Sequence, residues 1–137
     1  MLSYNSAMDI NYLAVALAAL SAFFLGFLWY TIIFAKPWQA LIGMKEGMKG
    51  APPTLAKLLI GSLILEIIMA FNLAMFIGPD ADWLFGLGAG FAAGFGWVAL
   101  AFGNDYMFEG RPFKLWLINA GYYTVIFSVM GLILGAM

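Results

Sequence analysis

Residues Leu58–Gly78 read LLIGSLILEIIMAFNLAMFIG, a run broken by one charge, Glu66. A bilayer core about 30 Å thick needs roughly 20 apolar residues of helix at about 1.5 Å per residue, so this run predicts a membrane-spanning helix. It lacks the alternation of a barrel strand, and backbone groups in lipid must pair within their own segment. Three further stretches are long and apolar enough: Tyr12–Phe34, Trp83–Gly103 and Leu115–Met137, all uncharged. The expected fold is all-α: a polytopic membrane protein forming a compact bundle of four transmembrane helices, with residues 1–137 as one domain.

Composition agrees with that reading. Of 137 residues, 65% are hydrophobic and 9% charged, with a mean hydropathy of +0.98. Soluble domains carry about 25% charged residues, so a soluble globular fold is excluded. A net charge of −1 provides no electrostatic footprint for nucleic acid. With no His and no Cys, there are no ligands for a His- or thiolate-bound metal, no disulfide and no thiol chemistry. No cofactor is expected.

Turn residues punctuate the same partition. Lys36-Pro37 closes the first helix, Pro52-Pro53-Thr54 precedes the second, Gly78-Pro79-Asp80 makes a tight turn, and Arg111-Pro112 precedes the fourth. Lys36, Lys45, Lys49 and Lys57 flank the first loop, and Arg111 and Lys114 the third. All six basic residues thus fall on one side, while Asp9, Asp80 and Asp82 fall on the other. Short basic loops stay cytoplasmic, so both termini are expected outside. A cleavable signal peptide is not expected, because residues 1–11 hold no Lys or Arg and the first apolar run is too long for one.

Lipid offers helices no hydrophobic reason to associate, so small residues must let them approach. Ridges of small residues spaced four apart recur: Ala14, Ala18, Ala22 and Gly26 in the first span; Gly86, Gly90 and Gly94 in the third; Gly131 and Gly135 in the fourth. In the second, Ser62, Glu66, Ala70, Ala74 and Gly78 share a ridge. Packing within the bundle is the plain reading of these ridges, and self-association is the alternative. A shift of 68 residues also superposes Phe23, Gly26, Phe27, Trp29 and Phe34 on Phe91, Gly94, Phe95, Trp97 and Phe102. That likeness suggests two repeated helical hairpins, related by an axis along the membrane normal.

Glu66 is the candidate proton or cation site. It stands near mid-membrane, where a carboxylate costs at least a few kcal/mol and must be protonated, paired or hydrated. No Lys or Arg lies within a span to pair with it, so a neutral acid is expected. Its alternative role is one interhelical hydrogen bond that fixes packing. Trp29, Tyr30, Asn104, Asn119, Tyr122 and Tyr123 fall in the leaflet of the basic side, where a polar-aromatic crevice could end near Glu66. The Trp residues otherwise read as interfacial belts. Asn72 is rotated away from Glu66 by about 120°.

The third loop is expected over Asn104–Lys114. There Asp105 and Glu109 could share a helical face and weakly hold a hard cation, or pair with Arg111 and Lys114 as an interfacial cap. The glycines at 86, 88 and 90 lie inside a membrane helix with no preceding strand, and do not form a phosphate loop.

Three segments carry a resemblance: Met8-Asp-Ile-Asn-Tyr12; Gly26-Phe-Leu-Trp-Tyr30 with Phe34 and Trp38; and Asn104 to Arg111 followed by Leu117-Ile-Asn-Ala-Gly-Tyr122. On these the chain resembles the bacterial membrane-protein family catalogued as domain of unknown function 1761, over almost its whole length. Ile32-Ile33 continues the helix where that family often has a proline-containing stretch. The resemblance implies a compact four-span protein starting near Met8, residues 1–7 being an extension, in a bacterial inner membrane. It implies no activity and does not include Glu66.

Two functions follow as expectations: proton- or cation-coupled transport of a small solute, or an accessory or scaffold subunit of a larger membrane complex. The first resembles small multidrug transporters only in size, span number and a lone membrane carboxylate. Partners are the bilayer and either further copies of the chain or a larger complex. No nucleophile–base constellation is visible, so an enzyme is not expected.

Overall fold

The computed structural model describes residues 9–43 and 55–137. Lys45, Lys49, Pro52-Pro53-Thr54 and Met8, used above, lie outside the described residues. Among those described, the chain is all-helical and four of its helices are long and apolar enough to cross a membrane: Tyr12–Ile33, Ala56–Ile77, Trp83–Glu109 and Phe113–Ala136.

The first span is α1 (Tyr12–Leu28), continued by π-helical turns over Trp29–Ile33. Its N-cap is Asn11, whose side chain accepts from the Ala14 N–H at 3.0 Å. A break at Phe34 leads into α2 (Ala35–Leu41), an element read from sequence as loop. Pro37 falls in the first turn of α2, where its missing N–H costs nothing. The second span is α3 (Leu55–Ile77). The third is α4 (Trp83–Ala93), π-helical turns over Gly94–Ala99, and α5 (Leu100–Glu109). The fourth is α6 (Phe113–Ala136).

The third span therefore runs six residues beyond Gly103, and most of the expected third loop is helix. The helix stops at Gly110, a left-handed C-cap with φ 70°. There the Arg111 N–H returns to the Tyr106 carbonyl at 2.9 Å. Only Gly110–Pro112 connect the last two spans.

Neighbouring spans run antiparallel. Asn11 Nδ2 donates to the Met137 carbonyl at 3.5 Å, bringing the start of the first span to the end of the fourth. At the other end the Trp29 indole donates to the Ile118 carbonyl at 2.9 Å.

The fourth span is the hub, with its buried Leu115, Ile118, Tyr122, Ile126, Phe127 and Met130 spread along its length. The third span meets it backbone to backbone. A β-carbon on Gly86 would collide with the Gly131 carbonyl oxygen, and one on Gly131 with that of Gly86. Gly90 lies likewise against the Phe127 carbonyl, and Gly94 against Phe127 and Tyr123. The ridge Ala14, Ala18 and Ala22 of the first span is wholly buried, facing a core that includes Ala70, Leu73, Ile126 and Met130.

The second span touches the bundle by a narrower stripe: Glu66, Ala70, Leu73 and Ile77 are buried. None of residues 56–65 is buried, and Ser62 is exposed. The ridge expected through Ser62 thus holds only from Glu66 onward, because the first half of α3 stands away from the other described helices.

The likeness of the two stretches 68 residues apart extends to helical geometry, since shifting Trp29–Ile33 by 68 gives 97–101, overlapping the π-helical Gly94–Ala99. It stops at packing. Trp29 is bonded to the fourth span, whereas Trp97 is exposed and packs beside Phe76 at 5.5 Å.

Candidate functional site

Glu66 is the midpoint of α3, with eleven residue steps to Leu55 and eleven to Ile77. At about 1.5 Å per residue it lies roughly 16 Å from either helix end. It is 5% exposed, the one buried charged residue among those described. Burial follows from register: Ala70, Leu73 and Ile77 succeed it at helical spacing on the face that meets the bundle.

One of its oxygens is partnered. Tyr122 Oη, from the fourth span, lies 2.7 Å from Glu66 Oε2 and 3.2 Å from the Ala22 carbonyl of the first span. Three spans therefore meet at one phenol. Gly26 makes the room, since a β-carbon there would stand 2.7 Å from the Tyr122 hydroxyl.

The second oxygen, Glu66 Oε1, is buried without a hydrogen-bond partner, alone in this among the buried side-chain polar atoms described. Several other polar groups in the spans close on their own helix. Ser21 donates to the Ala18 carbonyl, Asn72 to that of Ile68, Thr31 to that of Phe27, Thr124 to that of Ala120 and Ser128 to that of Thr124. Such local bonds satisfy a hydroxyl or amide in lipid. A carboxyl on α3 has one hydroxyl within reach and one oxygen left over.

The surroundings of Glu66 divide sharply along the membrane normal. Toward the termini the buried core is Ala14, Val15, Ala18, Leu73, Ile77 and Met130, with no polar side chain. Toward the basic end lies a stack of aromatic and amide groups. The Tyr122 ring is 5.2 Å from that of Tyr30 and 4.9 Å from that of Tyr123, both edge-on, and 6.1 Å from Trp29. Tyr30 donates to Asn119 Oδ1 at 2.7 Å, and Asn119 Nδ2 donates to Tyr106 Oη at 2.8 Å. Tyr106 in turn carries the Arg111 guanidinium 5.2 Å from its ring centroid.

Of the residues singled out from sequence, Trp29, Tyr30, Asn119 and Tyr122 are thus brought together on the basic side of Glu66. Asn104 is not; it lines a separate groove with Tyr106 and Arg111. Gly86, Gly90 and Gly94 lie against the fourth span, away from the carboxyl. Sequence reasoning placed Tyr106 in a loop, and it read Gly26 as part of a ridge, a repeat and a motif without linking either residue to the carboxyl. Glu109 pairs with Arg111 at 2.7 Å, and no group of three His, Cys, Asp or Glu that could hold a metal ion occurs among the described residues.

The hydrogens of this cluster can be counted. The Tyr122 hydroxyl has one proton and two acceptors in reach. If Glu66 is neutral with its proton on Oε2, that O–H donates to Tyr122 Oη and Tyr122 donates to the Ala22 carbonyl, so both contacts are hydrogen bonds. With the proton on Oε1, Oε2 still accepts from Tyr122. If Glu66 is ionised, Tyr122 donates to Glu66 Oε2 and nothing is left for Ala22. An ionised Glu66 therefore fixes the Tyr122 hydroxyl toward Oε2, and only a proton on Oε2 frees it for Ala22.

No curated protein and no solved structure matches the chain. A family model does, over residues 13–135. With all but its two ends matched, the chain belongs to the family described as Protein of unknown function (DUF1761).

Proposed function

We propose that this membrane protein moves a small solute in step with protons, and that Glu66 is the group that takes up and releases the proton. One observation carries this reading: a 95% buried acid (5% exposed) at the middle of a span, with one oxygen on Tyr122 and the other on nothing. Intramembrane carboxylates without a basic partner are costly, and mark proton and ion paths. The polar-aromatic stack on one side and the dry aliphatic core on the other give the acid a one-sided route in this conformation.

In this proposal the basic end faces the cytoplasm and both termini face outward, by the positive-inside rule. The chemistry is proton exchange and solute binding, with no covalent catalysis. A proton arriving on Glu66 Oε2 turns the Tyr122 hydroxyl toward Ala22, and its departure turns the hydroxyl back, so the proton is felt by the first and fourth spans as well as the second.

The test is reconstitution in vesicles carrying a trapped pH indicator, under an imposed pH gradient, with and without a panel of small organic cations and neutral solutes. Wild type should carry protons and the Glu66→Gln protein should not. Equal rates, or no rate above empty vesicles in either protein, overturn the proposal. A second reading, an accessory subunit, is favoured by the unburied residues 56–65, which leave room for a partner helix. Its mark would be a larger membrane protein co-purifying in fixed stoichiometry.

A further inference from the structure

The groove that Asn104 lines lies at the far end of the same side, between the end of the third span and the start of the fourth. It has a volume of about 480 Å³ and is lined by Leu100, Asn104, Met107, Arg111, Phe113 and Trp116 among others. Its depth in the membrane follows from length. The third span has 27 residues, about 40 Å of helix against a hydrocarbon core of about 30 Å. The last turns of α5 therefore reach the headgroup layer.

Large apolar side chains nevertheless stay uncovered there: Met107 is 79% exposed, Phe108 86% and Phe113 70%. Charge accompanies them. Asp105, Glu109, Arg111 and Lys114 place two acids and two bases within ten residues. Arg111 lines the groove, and the Glu109 carboxylate pairs with its guanidinium at 2.7 Å, both side chains about half exposed. The Arg111 group is held over the Tyr106 ring.

An apolar floor with a paired plus and minus at its edge is complementary to one abundant chemistry at this depth, a zwitterionic phospholipid. We infer that this groove binds a phospholipid with an ethanolamine headgroup. Its phosphate lies on Arg111, its primary ammonium on Glu109, and one acyl chain runs along Leu100, Met107, Phe113 and Trp116. Arg111 suits a phosphate through its planar fork of donors. The ammonium suits Glu109 because it can donate hydrogen bonds, which a trimethylated choline cannot. An anionic headgroup with no ammonium would set its charge beside the Glu109 carboxylate unopposed. The inference is independent of Glu66.

The experiment is native mass spectrometry of the purified protein, exchanged against equal amounts of phosphatidylethanolamine, phosphatidylcholine and phosphatidylglycerol. Wild type should retain one phosphatidylethanolamine per chain in preference to the other two. Arg111→Gln should lower that retention by roughly tenfold, as loss of one charged hydrogen-bonded contact does. Glu109→Gln, a change on an exposed side chain, should keep phospholipid but shift the preference toward phosphatidylglycerol. Equal retention of the three lipids by wild type, a wild-type preference for phosphatidylglycerol, or unchanged retention in Arg111→Gln would each overturn the inference.

Discussion

Gly26 lies directly beneath the Tyr122 hydroxyl, at a distance that a β-carbon would reduce to 2.7 Å. The atom such a carbon would displace is the same hydroxyl that lies 2.7 Å from Glu66 Oε2. The contact therefore links a helix-packing position of the first span to the carboxyl of the second through a side chain of the fourth.

Gly26→Ala should destabilise the folded protein by about 1–3 kcal/mol, the usual cost of overpacking. Most of that cost should vanish when Tyr122 is already Phe, because the nearest clashing atom is the hydroxyl itself. Thermal unfolding of the two single variants and the double variant measures the coupling, expected at about 0.5–3 kcal/mol. Strict additivity would show that the slot is not what Gly26 provides.

A neutral Glu66 makes a spectroscopic prediction. Infrared spectra of wild type at neutral pH should contain a protonated-carboxyl stretch that Glu66→Gln lacks, and Tyr122→Phe should shift that band by removing its partner. Since Gln keeps shape and neutrality, Glu66→Gln should change stability by less than about 1 kcal/mol. A wild-type spectrum with no such band would identify the ionised state, and with it a Tyr122 hydroxyl that donates to Glu66.

Asn119 joins Tyr30 to Tyr106 by two hydrogen bonds. Asn119→Leu removes both partners at once and leaves two phenols to find others. A loss of about 1–3 kcal/mol is expected. Tyr30→Phe and Tyr106→Phe should each cost less, since Asn119 keeps one bond in either. Chemical unfolding in mixed micelles compares the three.

The spans were legible because length and hydropathy decide them without reference to any neighbour. The end of the third was misread because Asn104, Asp105 and Glu109 look like loop composition, although Gly110 followed by Arg111-Pro112 is a C-cap signal that marks the true end. Glu66 was legible as a depth and a cost, but its partner was not. Tyr122 is 56 residues away, and depth alone leaves Tyr30, Tyr122 and Tyr123 on the same side as equal candidates. Ser62 was placed on the buried ridge by periodicity. Its exposure reflects how α3 leans from the bundle, a tertiary matter that spacing along one helix does not encode.

Which glycines pack was, by contrast, legible from the ridge Gly86, Gly90 and Gly94, and here the structure makes its sharpest distinction. Gly86 and Gly90 touch backbone of the fourth span, whereas Gly88 and Gly96, on the same span, have open space where a β-carbon would go. Spacing by four puts Gly86 and Gly90 on one ridge and leaves Gly88 and Gly96 off it. Backbone cannot move aside as a side-chain tip can, so Gly86→Ala and Gly90→Ala should each separate the third and fourth spans locally and cost about 1–3 kcal/mol or more. Gly88→Ala and Gly96→Ala should be neutral or stabilising by up to about 1 kcal/mol, since Ala favours the helix and meets nothing. Melting temperatures of the four purified variants decide the matter. If Gly88→Ala and Gly96→Ala were the damaging pair, the outward face of the third span would be the packed one, and the Gly86–Gly131 contact would not be what holds the last two spans together.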